Sequence, residues 1–161
     1  IPKAALPVGT VLQVVQSTYS TQVVVSTTTY TDTGLSCSIT PISATSKILV
    51  KVAQQYNNQA STTFAFGGIQ LLRGSTVIYD PSPVDATGPS AIGMQVSTGT
   101  TGRIQHVFNI NYLDSPGTTS TITYKTQGRP YQSTSIMYMA FQVSNANQNG
   151  TSNIILMEIA A

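Results

Sequence analysis

The side chains able to do chemistry are few, and their spacing argues against most kinds of it. His106 is the only histidine, so any Ser-His-Asp arrangement would have to use it. It alternates with Ile104, Phe108, Ile110 and Tyr112, which places it on the apolar side of a strand. A packed, hydrogen-bonded imidazole suits that place better than a base carried on a loop. Carboxylates for glycoside cleavage could come from Asp80, Asp85, Asp114 and Glu158. Asp80 and Asp85 lie in a Pro-rich stretch, and Asp114 reads as a turn residue. Glu158 stands in an apolar run near the chain end. It is either buried against Arg73, Lys125 or a neighbouring subunit, or it faces water at a frayed terminus.

Other chemistries lack their residues. No Asp-x-Asp-x-Asp spacing marks a calcium loop, and no Gly-rich phosphate loop occurs. Gly67-Gly68 falls inside a strand pattern, where a bulge or a close backbone approach explains it. Cys37, the only cysteine, alternates with Leu35 and Ile39 and reads as a buried, inert thiol rather than a disulfide partner or metal ligand. No catalytic residue, metal site or cofactor is assigned, and an enzyme is not expected.

The residue types that remain suit binding. Amides and hydroxyls exchange hydrogen bonds with sugar hydroxyls, and a Tyr ring offers a flat apolar face. Tyr56, Asn57 and Asn58 open a polar stretch, 56–62, read as a loop. Asp85 lies in the long irregular segment 80–90, and Asn145 and Asn147 lie between the last two strands. These six are the candidate ligand contacts. If 91–97 is a strand, 56–62, 80–90, 114–118 and 144–151 share one end of the domain; if it is not, 80–90 and 127–133 join 56–62 instead.

The elements that carry these residues read as short strands. Charged residues make up 7% of the chain where about 25% is usual, and Ser and Thr fill the difference at about a quarter of the sequence. A Thr- and Val-rich, Lys- and Glu-poor chain favours strands over helices. The clearest pair is 103–113 and 119–127, each alternating with period two, joined through Asp114-Ser115-Pro116-Gly117 as a tight turn. Further strands are read at 11–15, 22–30, 35–39, 46–55, 64–73, 76–80, 91–97, 136–143 and 154–159. Turns fall at Thr31-Asp32-Thr33-Gly34, Arg73-Gly74-Ser75 and Asn149-Gly150. About ten short strands with turn signals between them predict an all-β fold, an antiparallel β-sandwich or jelly roll.

At 161 residues the chain is one domain, 9–161, entered by a linker-like stretch, 1–8, from an expected longer N-terminal part. A net charge of +2 without basic runs gives no footprint for nucleic acid. No apolar run approaches the ~18 residues of a membrane span. The runs Ile136–Val143 and Ile154–Ile159 are apolar on both faces, which a one-sided sheet does not need. Either something covers the second face or it packs against another subunit; an oligomer is the economical explanation, with Tyr138, Met139, Phe141, Ile154, Leu156 and Glu158 as the expected interface.

Several stretches together resemble a known family: Leu72-Arg73-Gly74-Ser75-Thr76-Val77-Ile78, Leu113-Asp114-Ser115-Pro116-Gly117-Thr118-Thr119, Thr123-Tyr124-Lys125, Leu156-Met157-Glu158-Ile159-Ala160, and the region from Gly34-Leu35-Ser36 to Ser46-Lys47-Ile48-Leu49-Val50. They are similar to the C-terminal domains of tail-fibre and head-fibre proteins of tailed phages, especially marine ones, over roughly residues 8–161. The resemblance implies a jelly roll like the complement globular-head and tumour necrosis factor domains, a homotrimer, and attachment to other virion proteins through the N-terminal side. It implies a place on the virion surface and contact with a host glycan or envelope component. It supplies no catalytic residues. A capsid decoration protein without a ligand is the alternative, and a depolymerase would need a carboxylate pair that is not evident.

Overall fold

Alternation of apolar and polar side chains is realised as strands throughout. The fold is a computed structural model that describes residues 6–60, 64–80, 92–96, 104–131, 133–140 and 150–161, and among them it has strands and no helix. The strands are β1 (Val11–Tyr19), β2 (Val23–Val25), β3 (Thr31–Ile39), β4 (Lys47–Ala60), β5 (Phe64–Arg73), β6 (Thr76–Tyr79), β7 (Ile92–Val96), β8 (Ile104–Asp114), β9 (Ile122–Pro130), β10 (Ser135–Met139) and β11 (Ser152–Ile159). All the pairings are antiparallel.

Three pairs of strands run in line. β10 and β11 lie end to end along one edge of β4, β2 and β1 lie along β10 and β11, and β6 and β7 lie along β5. Taken together, each in-line pair is one interrupted strand, and the chain makes eight. The first sheet then reads first, eighth, third, sixth, and the second reads second, seventh, fourth, fifth. Two four-stranded sheets interleaved in this order are the jelly roll, the fold expected from the spacing of strands and turns.

Several local expectations give way to this order. The segments 103–113 and 119–127 do not form a hairpin: β8 pairs with β4 in the first sheet, while β9 lies between β3 and β5 in the second. Turn chemistry at Gly117, with φ of 67°, serves a crossing between sheets, and local sequence does not distinguish the two uses. The last two strands likewise pair with β4 rather than with each other; β10 ends at Met139, and Ala140 after it has φ of 49°. Thr31-Asp32-Thr33-Gly34 is no turn but the start of β3, where the ladder to β9 shifts register between Asp32 and Ser36. Gly34 there has φ of 86°, and the Tyr19 ring occupies the space a Cβ would take, so glycine is required twice over. The stretch 26–30, read as the end of a strand, lies outside β2.

Expected loop 56–62 is mostly strand, because β4 continues to Ala60. The grouping of loops changes with it. Since β6 and β7 both run antiparallel to β5, two successive strands share a direction and strict alternation fails. The connection 115–121 lies at the Lys47 end of β4, where Ile48 pairs with Asp114, opposite the end that leads to β5.

The core between the sheets has two parts. Leu35, Ile39, Ile48, Val50, Val52, Leu71, Ile110, Tyr124, Ile154 and Leu156 make the larger, and Val25, Tyr56, Ile69, Met137 and Met139 the smaller. Buried polar side chains cross between the sheets. Thr33 Oγ1 shares a hydrogen bond with Thr126 Oγ1 (2.6 Å), which donates to Gln54 Oε1 (2.8 Å), and Gln54 Nε2 donates to Ser152 Oγ (2.8 Å). Each of these groups has a partner, so the crossing escapes the penalty of unpaired burial. Gly67, flagged by sequence as a close approach, is one: a Cβ there would stand 2.8 Å from Met137 Cε and 3.0 Å from the Arg129 carbonyl.

Candidate functional site

Three of the six expected ligand contacts lie in a strand and not in a loop. Tyr56, Asn57 and Asn58 are buried in β4, at 2%, 0% and 1% exposure. Tyr56 faces the smaller core and stacks on His106 with ring centroids 5.5 Å apart. The polar composition of this stretch resembles a loop, but β4 pairs with β8 and β10 along it, and that ladder fixes it as strand. Asp85, Asn145 and Asn147 lie outside the described residues, as does Phe141.

Four of the six expected subunit contacts, Met139, Ile154, Leu156 and Glu158, are buried within the chain itself. Ile154 and Leu156 are wholly buried in the larger core and Met139 in the smaller. Tyr138, on the alternate face of β10, is half-buried. Two-sided apolar strands are therefore explained on one side by the domain's own interior.

Glu158 is buried, but by none of the expected partners. It accepts hydrogen bonds from Gln13 Nε2 and from the backbone N–H groups of Ile42 (2.7 Å) and Ser43 (3.3 Å). Burial pushes its carboxyl up, and these donors more than offset it, holding the group below the usual range. Asp114, read as a turn residue, is the last residue of β8. It takes two hydrogen bonds from Arg73 Nη1 (3.0 and 2.9 Å) and one from the Tyr124 hydroxyl (2.7 Å). Burial first, and the bond to Asp114 second, raise the Tyr124 hydroxyl far above its ordinary value, so Tyr124 is a donor and not a base. Both carboxylates are occupied in holding the ends of strands, which leaves neither with the open geometry of a glycosidase pair.

His106 also departs from expectation. It is packed, but its Nε2 is buried without a hydrogen-bond partner, as are the side-chain amides of Asn57 and Asn58 and the hydroxyl of Ser135. Asn58 pairs with Met137 and Ile104, and His106 with Tyr56, in rows that face the sandwich interior. Cys37 is buried as expected, and burial raises its thiol pKa. Among the described residues no group of three His, Cys, Asp or Glu side chains is placed to hold a metal.

Among the described residues two concave places stand out. A cavity of about 350 Å³ is lined by Leu6, Leu12, Ile42, Ser43, Ser46 and Ala160 beside the first residues of β1. A hollow of about 90 Å³ lies among Asp32, Gly34, Ser36 and Lys125 on the second sheet. Around it the outer face is saturated with internal polar contacts. Asp32 accepts from Lys125 Nζ (2.9 Å) and Gln127 Nε2 (2.7 Å), Gln70 donates to Gln127 (2.7 Å), and hydroxyls pair at Ser38–Thr123 and Thr40–Thr121 (both 2.7 Å).

The outer face of the first sheet is different. Register aligns Val14 with Met157, Met157 with Leu49, and Leu49 with Leu113, so one apolar row crosses β1, β11, β4 and β8. Val14 is 54% and Leu113 51% exposed. Lys47 and Lys51, both exposed, stand on β4 either side of Leu49. Sequence reasoning missed this row. Each residue shows in its own alternation, but the row exists only once four strands are registered, and no local signal carries that.

No protein-family model matches the chain, and no curated protein matches it. Among solved structures it is similar to chains in the structures of infectious bursal disease virus, Gx strain (12% identity, TM-score 0.40) and Gt strain (13% identity, TM-score 0.40). All of this chain is covered in each, and it spans 41% of the length of the chain it matches. A TM-score of 0.40 reflects a β-rich likeness, and no function follows from it.

Proposed function

We propose that the chain is a structural domain of a virion, held at the particle surface by protein–protein contact. The observation that carries this is the apolar row on the first sheet, exposed at Val14 and Leu113, half-buried at Met157 and Leu49 and flanked by lysines, opposite a second sheet whose outer face is mostly polar and internally satisfied. A contiguous exposed apolar strip rimmed by polar residues marks an interaction surface. The resemblance of the turn and core motifs to phage appendage domains supplies the virion context.

As the end of a fibre, the domain would be a homotrimer and would meet a host glycan or envelope component. Its subunit contacts would then lie outside Met139, Ile154, Leu156 and Glu158, which the single chain buries. As a capsid decoration protein, it would sit on the shell by its apolar face. Burial of Tyr56, Asn57 and Asn58 favours decoration, because it removes the described part of the expected ligand site. The test is to separate purified particles into heads and tails and detect the chain in each by mass spectrometry. Chain in the head fraction, bound around the shell, supports decoration. Chain in the tail fraction, with a solution mass near three times 17.0 kDa, supports the fibre. Absence from both contradicts the virion reading.

A further inference from the structure

We infer that the outer face of the first sheet docks an acidic, partly apolar protein surface and not a second copy of this chain. The row Val14–Met157–Leu49–Leu113 supplies the apolar part. The neighbouring rows pair Ile159 with Lys47 and Ile155 with Lys51, which has Asn111 on its other side; a lysine stem can cover such apolar neighbours while its ammonium stays in water. Among the described residues no acidic side chain pairs with either lysine, and this face carries none.

The chain's own carboxylates argue against self-association. It has five acidic residues. Asp32 is taken by Lys125 and Gln127, Asp114 by Arg73 and Tyr124, and Glu158 is buried among Gln13 and backbone donors. Asp80 accepts from the Tyr30 hydroxyl, and Asp85 lies outside the described residues. A second copy placed face to face would set lysines against lysines, and like charges across an interface are costly. A partner that offers carboxylates around an apolar ridge satisfies both parts of the face.

The inference rests on the virion reading only for where that partner is found, and its test needs no particle. The full 161-residue chain is titrated with a helical peptide bearing a Leu stripe flanked by Glu, and with the same peptide bearing Lys in place of Glu. Anionic phospholipid vesicles are a third probe. The acidic peptide is expected to bind at least about tenfold more tightly than the basic one, with an affinity that falls as salt rises. Lys47→Glu with Lys51→Glu should remove that preference. Val14→Ser with Leu113→Ser should weaken both peptides, and Ser38→Ala on the other face should change nothing. All these positions are exposed, so the variants keep the fold. Equal binding of the two peptides, or no binding, overturns the proposal. Binding of vesicles in preference to the acidic peptide overturns it in favour of a membrane surface. Self-association abolished by Val14→Ser with Leu113→Ser overturns it in favour of a second copy.

Discussion

The two sheets share one core and have opposite exteriors. On the second sheet, outward side chains satisfy one another: Ser38 with Thr123, Thr40 with Thr121, Asp32 with Lys125 and Gln127. Its apolar outward pair, Leu72 of β5 and Val77 of the edge strand β6, is 4% and 46% exposed and stands at one margin of the sheet. On the first sheet, the outward row is apolar, and among the described residues its lysines have no acidic partner. A surface that closes its own hydrogen bonds and charges has little to gain from a partner, whereas one that leaves apolar area in water gains by covering it. The contrast assigns contact to one face and solvent to the other.

The sharpest way to break this comparison uses adjacent residues of β11. Leu156 points into the core and is 0% exposed, while Met157 points outward. Leu156→Asp is expected to unfold the chain, at more than about 4 kcal/mol, and Met157→Asp to leave it folded; urea denaturation followed by circular dichroism reads both. Comparable losses from the two would mean the outer face is structural.

A smaller effect separates two carboxylates whose pKa values are both held low. For Glu158, burial raises the pKa and the donors around it outweigh that, leaving it below its ordinary 4.5. Stability from such a group is present above the unfolded value and is lost as pH falls through the folded one. Glu158→Gln should cost about 2 kcal/mol at neutral pH, and the loss should shrink on acidification below about pH 4.5. Asp32 is held low by the bonds from Lys125 and Gln127 against its partial burial, but it is exposed. Lys125→Ala should therefore cost less than about 1 kcal/mol, and less still at high salt.

Between these lies Asn58, whose amide is buried without a partner. Asn58→Leu is expected to raise stability by about 1 kcal/mol, because it removes an unsatisfied group from an apolar core. A loss of that size would show that the amide is satisfied in solution.

Much of the fold was legible because its signals are local. Alternation located strands such as 46–55 and 103–113, apolar runs located the last two, Arg73-Gly74-Ser75 marked the hairpin of β5 and β6, and Cys37 and Gly67 sat where their neighbours implied. The failures share a cause in long-range pairing. Asp114-Ser115-Pro116-Gly117 looks the same whether it closes a hairpin or carries the chain between sheets. Tyr56-Asn57-Asn58 is polar enough for a loop and is strand because β8 and β10 flank it. Glu158 finds its donors in Gln13 and in the backbone at Ile42 and Ser43, more than a hundred residues away in sequence. Of the candidate site, sequence showed that the β10 and β11 runs are apolar on both faces; it could not show which half the domain itself would fill.

The most direct test of the contrast between the faces is hydroxyl-radical footprinting of the chain, free and in intact particles. Met157 reports the apolar face, and Tyr30, beside Arg129 at the margin of the polar face, reports the other. Met157 is expected to oxidise readily in the free chain and to be protected in particles, with Tyr30 unchanged. Equal oxidation of Met157 in both states, or protection at Tyr30 instead, would contradict the assignment of the first sheet's outer face as the surface of contact.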